Sequence, residues 1–349
     1  LVPFGWDEHF ESRFTALGND AWVPARVIGN RRVVVASENT AAGGANSGPS
    51  PSSTPSESLE LRFGEELLAD IPGRLRYEAE SALEMPSVGD WVAITPRLRE
   101  GRATIEKVIE RKSSLVRRAA GERDDAQVIA ANVDTTFIVS SMNQDLNERR
   151  LERYLALVRS GGSRPVILLS KADLATDHEA KLTAVHAITQ GAPVVACSTK
   201  TGEGFDALNG YLKLGQTIAV IGSSGVGKST LVNRLLGHEA MKTQAIREDD
   251  DKGRHTTTAR YLLPLPSGAM IIDTPGMREI QLWDAEEGVG ETFEDIEEIA
   301  LRCKFTNCRH ENEKGCAVRT ALQSGEITEE RLTSFKKLQA ELASRARRR

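Results

Sequence analysis

The chain of 349 residues lacks any apolar run approaching the roughly 20 residues that a membrane-spanning helix needs. Its opening, Leu1-Val2-Pro3-Phe4-Gly5-Trp6-Asp7, has neither the basic n-region nor the apolar h-region of a secretory signal, so no membrane partner and a cytoplasmic location are expected. Cysteine is scarce: of four, three fall with a histidine in a short stretch near the C-terminus, which reads as metal ligation in a reducing compartment and not as a pair of disulfides. A strong charge of one sign is also missing. The net charge of -5 argues against steering of the whole molecule toward nucleic acid. The last nineteen residues nevertheless carry Arg331, Lys336, Lys337, Arg345, Arg347, Arg348 and Arg349 against one acid, Glu341, which leaves a local RNA contact open.

What is present, 27% charged and 40% apolar residues, describes a soluble globular chain long enough for two or three domains, with a monomer as the default. Trp6, Phe10, Phe14 and Leu17 lie at helical spacing, and Trp22 to Val35 alternates around Gly29-Asn30 as a hairpin would. Strand patterns recur at Leu59 to Phe63, Arg74 to Tyr77, Val88 to Ile94 and Ala103 to Val108. These predict a small closed barrel of about five strands, either an oligonucleotide-binding (OB) type or another small β-barrel without a nucleic-acid role. Residues 37–58, rich in Ser, Gly, Pro and Ala, are expected to form a disordered insertion in this first domain, 1–115.

The pattern then changes to strands alternating with helices, the signature of a parallel sheet with crossovers. Strands are expected at Thr135 to Ser141, Pro165 to Leu169, Pro193 to Cys197, Thr217 to Ile221, Tyr261 to Leu265 and Ala269 to Asp273, with helices at Asn147 to Ser160, Glu203 to Leu212 and Lys228 to Leu236. This α/β domain is placed at 116–290, and a cysteine-rich helical module at 291–349.

Four short motifs carry the chemistry. The run Gly222-Ser223-Ser224-Gly225-Val226-Gly227-Lys228-Ser229, backed by Thr230, follows a strand and opens a helix, as a phosphate loop does. Its glycines let amide groups and the helix N-terminus face an anion, Lys228 would neutralise the β- and γ-phosphates, and Ser229 would ligate Mg2+. Asp273-Thr274-Pro275-Gly276 supplies a strand-end carboxylate for Mg2+ and, at Gly276, an amide for the γ-phosphate. Between them, Gly253-Arg254-His255-Thr256-Thr257-Thr258 offers a threonine hydroxyl to the Mg2+ shell, Thr257 being favoured over its neighbours.

Ser170-Lys171-Ala172-Asp173 and Cys197-Ser198-Thr199-Lys200 each end a strand. Asp173 can accept both the ring N–H and the exocyclic amine of guanine, the Lys171 stem can cover the ring, and the loop at Ser198, Thr199 and Lys200 can offer amides to the guanine carbonyl. Both base-reading motifs precede the phosphate loop, the reverse of the usual order. Cys303, Cys308, His310 and Cys316 supply four ligands within fourteen residues, enough for a closed, structural Zn2+ site.

That motif order, with Asn132-Val133-Asp134, the segment 253–258 and the cysteine cluster, resembles the ribosome small-subunit-dependent GTPase A family (RsgA, also called YjeQ or EngC) over nearly the whole chain. The resemblance implies a multidomain α/β protein: an N-terminal OB-type barrel, a central circularly permuted P-loop GTPase with a mixed sheet, and a C-terminal helical zinc domain. It implies late maturation of the small ribosomal subunit, with that subunit, its rRNA and other assembly factors as partners and GTP/GDP, Mg2+ and Zn2+ as ligands. This chain departs at Ser170, where the family usually has Asn, a residue that contacts guanine and braces the phosphate loop. Met277 stands where many GTPases place a water-orienting Gln, so His255, which the resemblance places in the first switch, is the catalytic candidate. A P-loop ATPase and an RNA-binding scaffold that holds nucleotide as a structural ligand are the competing readings.

Overall fold

The computed structural model describes residues 2–29, 31–35, 64–118, 126–142, 146–223, 225–237, 260–273, 292–305, 308–311 and 313–346. A short helix α1 (Glu8–Thr15), capped by the Asp7 side chain on the His9 amide, precedes strands β1 (Val23–Gly29), β2 (Arg32–Val35), β3 (Glu66–Asp70), β4 (Trp91–Arg97) and β5 (Arg102–Val108). These five close into a barrel in the order β1-β2-β3-β5-β4, with β3 and β5 parallel and the other neighbours antiparallel. Every second residue points inward: Val23, Ala25 and Val27, Val33 and Val35, Leu67 and Ala69, Val92 and Ile94, Ala103 and Ile105 form one core. Strand β1 is buried along both faces because its outer face carries Arg26 and Ile28 into the rest of the molecule.

Two barrel expectations change. Arg74 to Tyr77 is not a strand but lies in helix α2 (Gly73–Glu78), which Pro72 introduces and an Arg74–Glu78 pair spans one turn along. The alternation misled because Tyr77 is 92% exposed, so it is not a buried face. The residues expected as strand 59–63 and the insertion 37–58 lie outside the described residues, and the strand that occupies this place in the barrel is Glu66–Asp70.

A hairpin that the sequence pattern did not announce, β6 (Ser114–Arg118) and β7 (Ala126–Ala131), joins the barrel to the second sheet, so residue 115 falls inside a strand. The sheet that follows has the order β10-β9-β8-β11-β13-β12, built from β8 (Thr135–Ser141), β9 (Arg164–Ser170), β10 (Val194–Ala196), β11 (Thr217–Gly222), β12 (Tyr261–Pro264) and β13 (Met270–Asp273). All pairings are parallel except β12 with β13 at the edge, which makes the sheet mixed. The chain runs outward from β8 to β10, then returns to β11 on the other side of β8. The C-terminal ends of β8 and β11 are therefore the point where strand order reverses, the place where open α/β sheets bind ligands.

Helices α3 (Glu148–Ser160) and α4 (His178–Ile188) cover one face of the sheet and helix α5 (228–237) the other, so β8 is buried along its whole length. The expected helix Glu203 to Leu212 is only a 3-10 turn, Phe205–Leu208. Gly204, at φ 79°, leaves so little room that a Cβ there would sit 2.1 Å from the Ala196 carbonyl oxygen, and it fixes the turn in place of a longer helix. Three helices close the chain: α6 (Glu294–Ala300), α7 (Ala317–Ser324) and α8 (Glu329–Ala346). Ile296, Ile299, Val318, Leu332, Phe335 and Leu338 join Leu151 and Tyr154 of α3 in one continuous core, so the C-terminal helices are seated on the sheet's helix layer.

Asn132-Val133-Asp134 lies at the end of the sheet away from the phosphate loop and joins barrel to sheet. Asn132, in the left-handed region at φ 54°, accepts the Lys112 amide at 2.9 Å and donates to the Gly89 carbonyl at 3.1 Å. Beside it Arg26, 1% exposed, donates to Thr217 Oγ1 at 2.8 Å and also to the carbonyls of Gly89 and Phe4. Burial lowers the Arg26 pKa to about 10, which leaves it charged at neutral pH.

Candidate nucleotide site and metal centre

The phosphate loop begins where β11 ends. Gly222 turns with φ 143°, and a Cβ there would meet the Val139 carbonyl oxygen of β8 at 2.2 Å, so only glycine lets the loop leave the sheet this close to its neighbour. Gly225 and Gly227 also hold positive φ, and α5 starts at residue 228. Lys228 curls back to donate from Nζ to the carbonyls of Gly222 at 2.7 Å and Ser223 at 2.5 Å, so its ammonium sits inside the loop it belongs to. Ser229 and Thr230 are exposed on the first turn of the helix. Asp273 is the last residue of β13, the parallel neighbour of β11, which puts it at the same end of the sheet. Ser224, His255, Thr257 and Gly276 lie outside the described residues.

The two base-reading motifs end β9 and β10 and are bonded to each other, and the first of them is bonded to the phosphate loop. Asp173 Oδ1 accepts the Ser198 hydroxyl at 2.7 Å, and Ser198 Oγ in turn accepts the amides of Lys200 and Thr201 at 3.2 Å each. Ser198 is fully buried, so it fixes the carboxylate and the shape of the following loop together. Lys171, left-handed at φ 57°, lays its side chain across to the Gly225 carbonyl at 2.8 Å. Ser170 Oγ lies 2.5 Å from the Val226 carbonyl and 3.2 Å from that of Ser140. The departure at this position therefore keeps a brace on the phosphate loop, made by a hydroxyl in place of an amide.

Two contacts at the site had no motif to announce them. Arg234, on α5, donates to the Thr199 carbonyl at 2.9 Å and stacks over Phe205, tying the loop after β10 to the phosphate-loop helix. Arg150, on α3, donates to Ser223 Oγ at 2.6 Å. Cys197 is a packed strand-end residue whose thiol is pushed up to about 11 by burial, which keeps it inert.

The RsgA GTPase family profile matches residues 108–283. The chain belongs to the RsgA GTPase family. It is 51% identical over 275 residues to "Small ribosomal subunit biogenesis GTPase RsgA 2" of Lactiplantibacillus plantarum, covering 79% of this chain and 77% of that one. It is 42% identical over 357 residues to "Small ribosomal subunit biogenesis GTPase RsgA" of Opitutus terrae, covering 100% of this chain and 91% of the relative. Among solved structures, YjeQ from Thermotoga maritima superposes with a TM-score of 0.64 at 27% identity, covering 92% of this chain and 99% of that one. YloQ, a circularly permuted GTPase, superposes with a TM-score of 0.61 at 24% identity, covering 93% and 96%. The fold is thus the RsgA arrangement of OB-type barrel, permuted GTPase sheet and C-terminal helical domain. No helix among the described residues is long and apolar enough to cross a membrane.

The cysteine cluster also comes together. The ligand atoms of Cys303, Cys308, His310 and Cys316 all lie within 4.8 Å of one another, with Cys303 Sγ to Cys316 Sγ at 3.9 Å, Cys303 Sγ to His310 Nδ1 at 3.7 Å and His310 Nδ1 to Cys316 Sγ at 3.4 Å. A tetrahedron with Zn–S near 2.3 Å and Zn–N near 2.0 Å has edges of about 3.5–3.8 Å. The donor set and its spacing fit Zn2+, and burial lowers the His310 pKa, which favours the neutral ring a metal needs.

Proposed function

We propose that this chain is a GTPase of small ribosomal subunit biogenesis, hydrolysing GTP to GDP and phosphate slowly alone and faster on the subunit. The observation that carries the reading is the bonding of the first base-reading loop to the phosphate loop, Ser170 on Val226 and Lys171 on Gly225, and of the two base-reading loops to each other, Asp173 on Ser198. Three loops that a GTP must touch at once are held in one constellation at the strand-order reversal. The names of the curated relatives supply the small subunit as the partner class. The barrel type and the basic end of the chain suit contact with its rRNA.

The residue roles follow from chemistry. Loop amides from Gly222 to Ser229 cradle the phosphates, and Lys228 exchanges the two carbonyls it holds for phosphate oxygens. Asp173, its Oδ1 held by Ser198, accepts the two N–H groups on the guanine edge, which adenine does not present. Ser198, Thr199 and Lys200 face the guanine carbonyl, while the Lys171 stem, drawn toward Gly225, lies over the ring. Ser229, Thr257 and Asp273 would hold Mg2+, which when bound neutralises charge on the β- and γ-phosphates. His255 orients the attacking water and Gly276 donates its amide to the γ-phosphate. Cys303, Cys308, His310 and Cys316 would hold a structural Zn2+.

We place the domains at 1–115, 116–290 and 291–349, with the hairpin β6–β7 as the joint between the first two. Competition between GTP, GDP and ATP for the purified chain tests the base assignment. Displacement of bound GDP by GTP and not by a hundredfold excess of ATP is expected, and equal displacement by ATP would return the reading to a P-loop ATPase.

A further inference from the structure

Helix α3 is held on both sides of its first turn. Its N-cap, Asn147, accepts the Arg150 amide at 3.0 Å, and from this turn the Arg150 guanidinium reaches Ser223 Oγ at 2.6 Å. Two residues on, about 200° around the helix, Glu152 is 2% exposed and accepts Arg331 of α8 at 2.8 Å. Arg331 also donates to both carboxylate oxygens of Asp295, at 2.6 and 2.8 Å, and to the Thr292 carbonyl at 3.0 Å. The C-terminal helices thus fix the turn that aims Arg150 at the phosphate loop.

Ser223 is the residue on which two cations converge. Lys228 Nζ holds its carbonyl at 2.5 Å and Arg150 holds its hydroxyl at 2.6 Å. When Lys228 releases the Ser223 carbonyl to meet phosphate, the Arg150 bond is independent of that exchange and continues to hold the start of the loop. The geometry points to Arg150 as a positioning residue for GTP binding, acting through Ser223 from the helix that also seats the C-terminal domain. This rests on the GTPase reading above.

The test uses the full chain with Arg150→Ala, Arg150→Lys, Ser223→Ala and the double variant Arg150→Ala/Ser223→Ala, each checked for unchanged melting temperature and zinc content. GTP affinity is measured by fluorescent-nucleotide titration, and KM and kcat by phosphate release. Loss of a charge-assisted hydrogen bond at the loop should weaken GTP binding about tenfold and raise KM to match, with kcat changed by less than about threefold. Arg150→Lys should recover part of the loss, and the double variant should be no worse than Arg150→Ala. A wild type that binds GTP while folded Arg150→Ala binds it equally well overturns this inference alone. So do losses that add in the double variant. A wild type that binds no GTP overturns this inference and the GTPase reading together.

Discussion

Replacing Ser170 by Ala removes one hydroxyl from the point where the base-reading and phosphate loops meet. The side chain is 3% exposed, and its single proton serves the Val226 carbonyl at 2.5 Å in preference to the Ser140 carbonyl at 3.2 Å. Alanine fits the same space, so the loss is the unsatisfied buried carbonyl, about 1–3 kcal/mol. Val226 itself is packed beneath the loop, so part of that cost appears as loosening of the residues between Gly225 and Lys228. With about 1.4 kcal/mol of it felt on binding, affinity falls about tenfold. Because the brace is on the loop and not on the base, GTP and GDP should weaken alike while discrimination against ATP is kept. Fluorescent-nucleotide titration with a parallel thermal melt reads both parts. An unchanged nucleotide affinity with a lowered melting temperature would refute the reasoning and make Ser170 a core hydroxyl only. Ser170→Asn, which restores the family residue, should bind guanine nucleotides at least as tightly as the wild type.

Asp173→Asn replaces an acceptor pair by one acceptor and one donor, so preference should move from GTP toward xanthosine triphosphate, whose 2-carbonyl accepts where guanine donates; competition between the two nucleotides reads it. Arg331→Met should unseat the C-terminal helices by about 3 kcal/mol at pH 8, because Glu152 is left buried and without its cation. Burial already raises the Glu152 pKa, and losing Arg331 raises it further. The part of the variant's deficit due to Glu152 should therefore be small below pH about 4.5, where Glu152 is protonated folded and unfolded, and grow as pH rises through the folded value; urea melts at pH 4 and pH 8 compare the two. Cys316→Ser should drop bound zinc from one per chain to none by elemental analysis and cost helical signal, while weakening GTP binding by no more than Arg150→Ala does.

What was legible in the sequence was whatever chemistry is local. The phosphate loop, the two base-reading loops and the Cys3His cluster each lie within about a dozen residues, and their spacing alone places them. Strand β8 was readable because a buried strand must be continuously apolar or small, and Thr135–Ser141 is. The helix α2 was not, because Leu75 and Tyr77 alternate like a strand although the latter faces solvent. The hairpin β6–β7 hid in the passage between two domain patterns. The bonds of Arg150 to Ser223 and of Arg331 to Glu152 had no sequence signal, since partners 73 and 179 residues apart leave no periodicity to read. The Ser170 brace was the reverse case: the sequence showed only a departure from the family's usual Asn, and the loop's approach shows that the hydroxyl reaches the Val226 carbonyl.

The central claim is that the constellation at the ends of β9, β10 and β11 is a GTPase site whose turnover the small ribosomal subunit accelerates. Phosphate release from GTP by the purified chain, measured with and without mature small subunits, tests it most directly. Slow release alone and a clear rise with subunits, lost in Lys228→Ala, are expected. Release that is the same with and without subunits, or that survives Lys228→Ala, would contradict it.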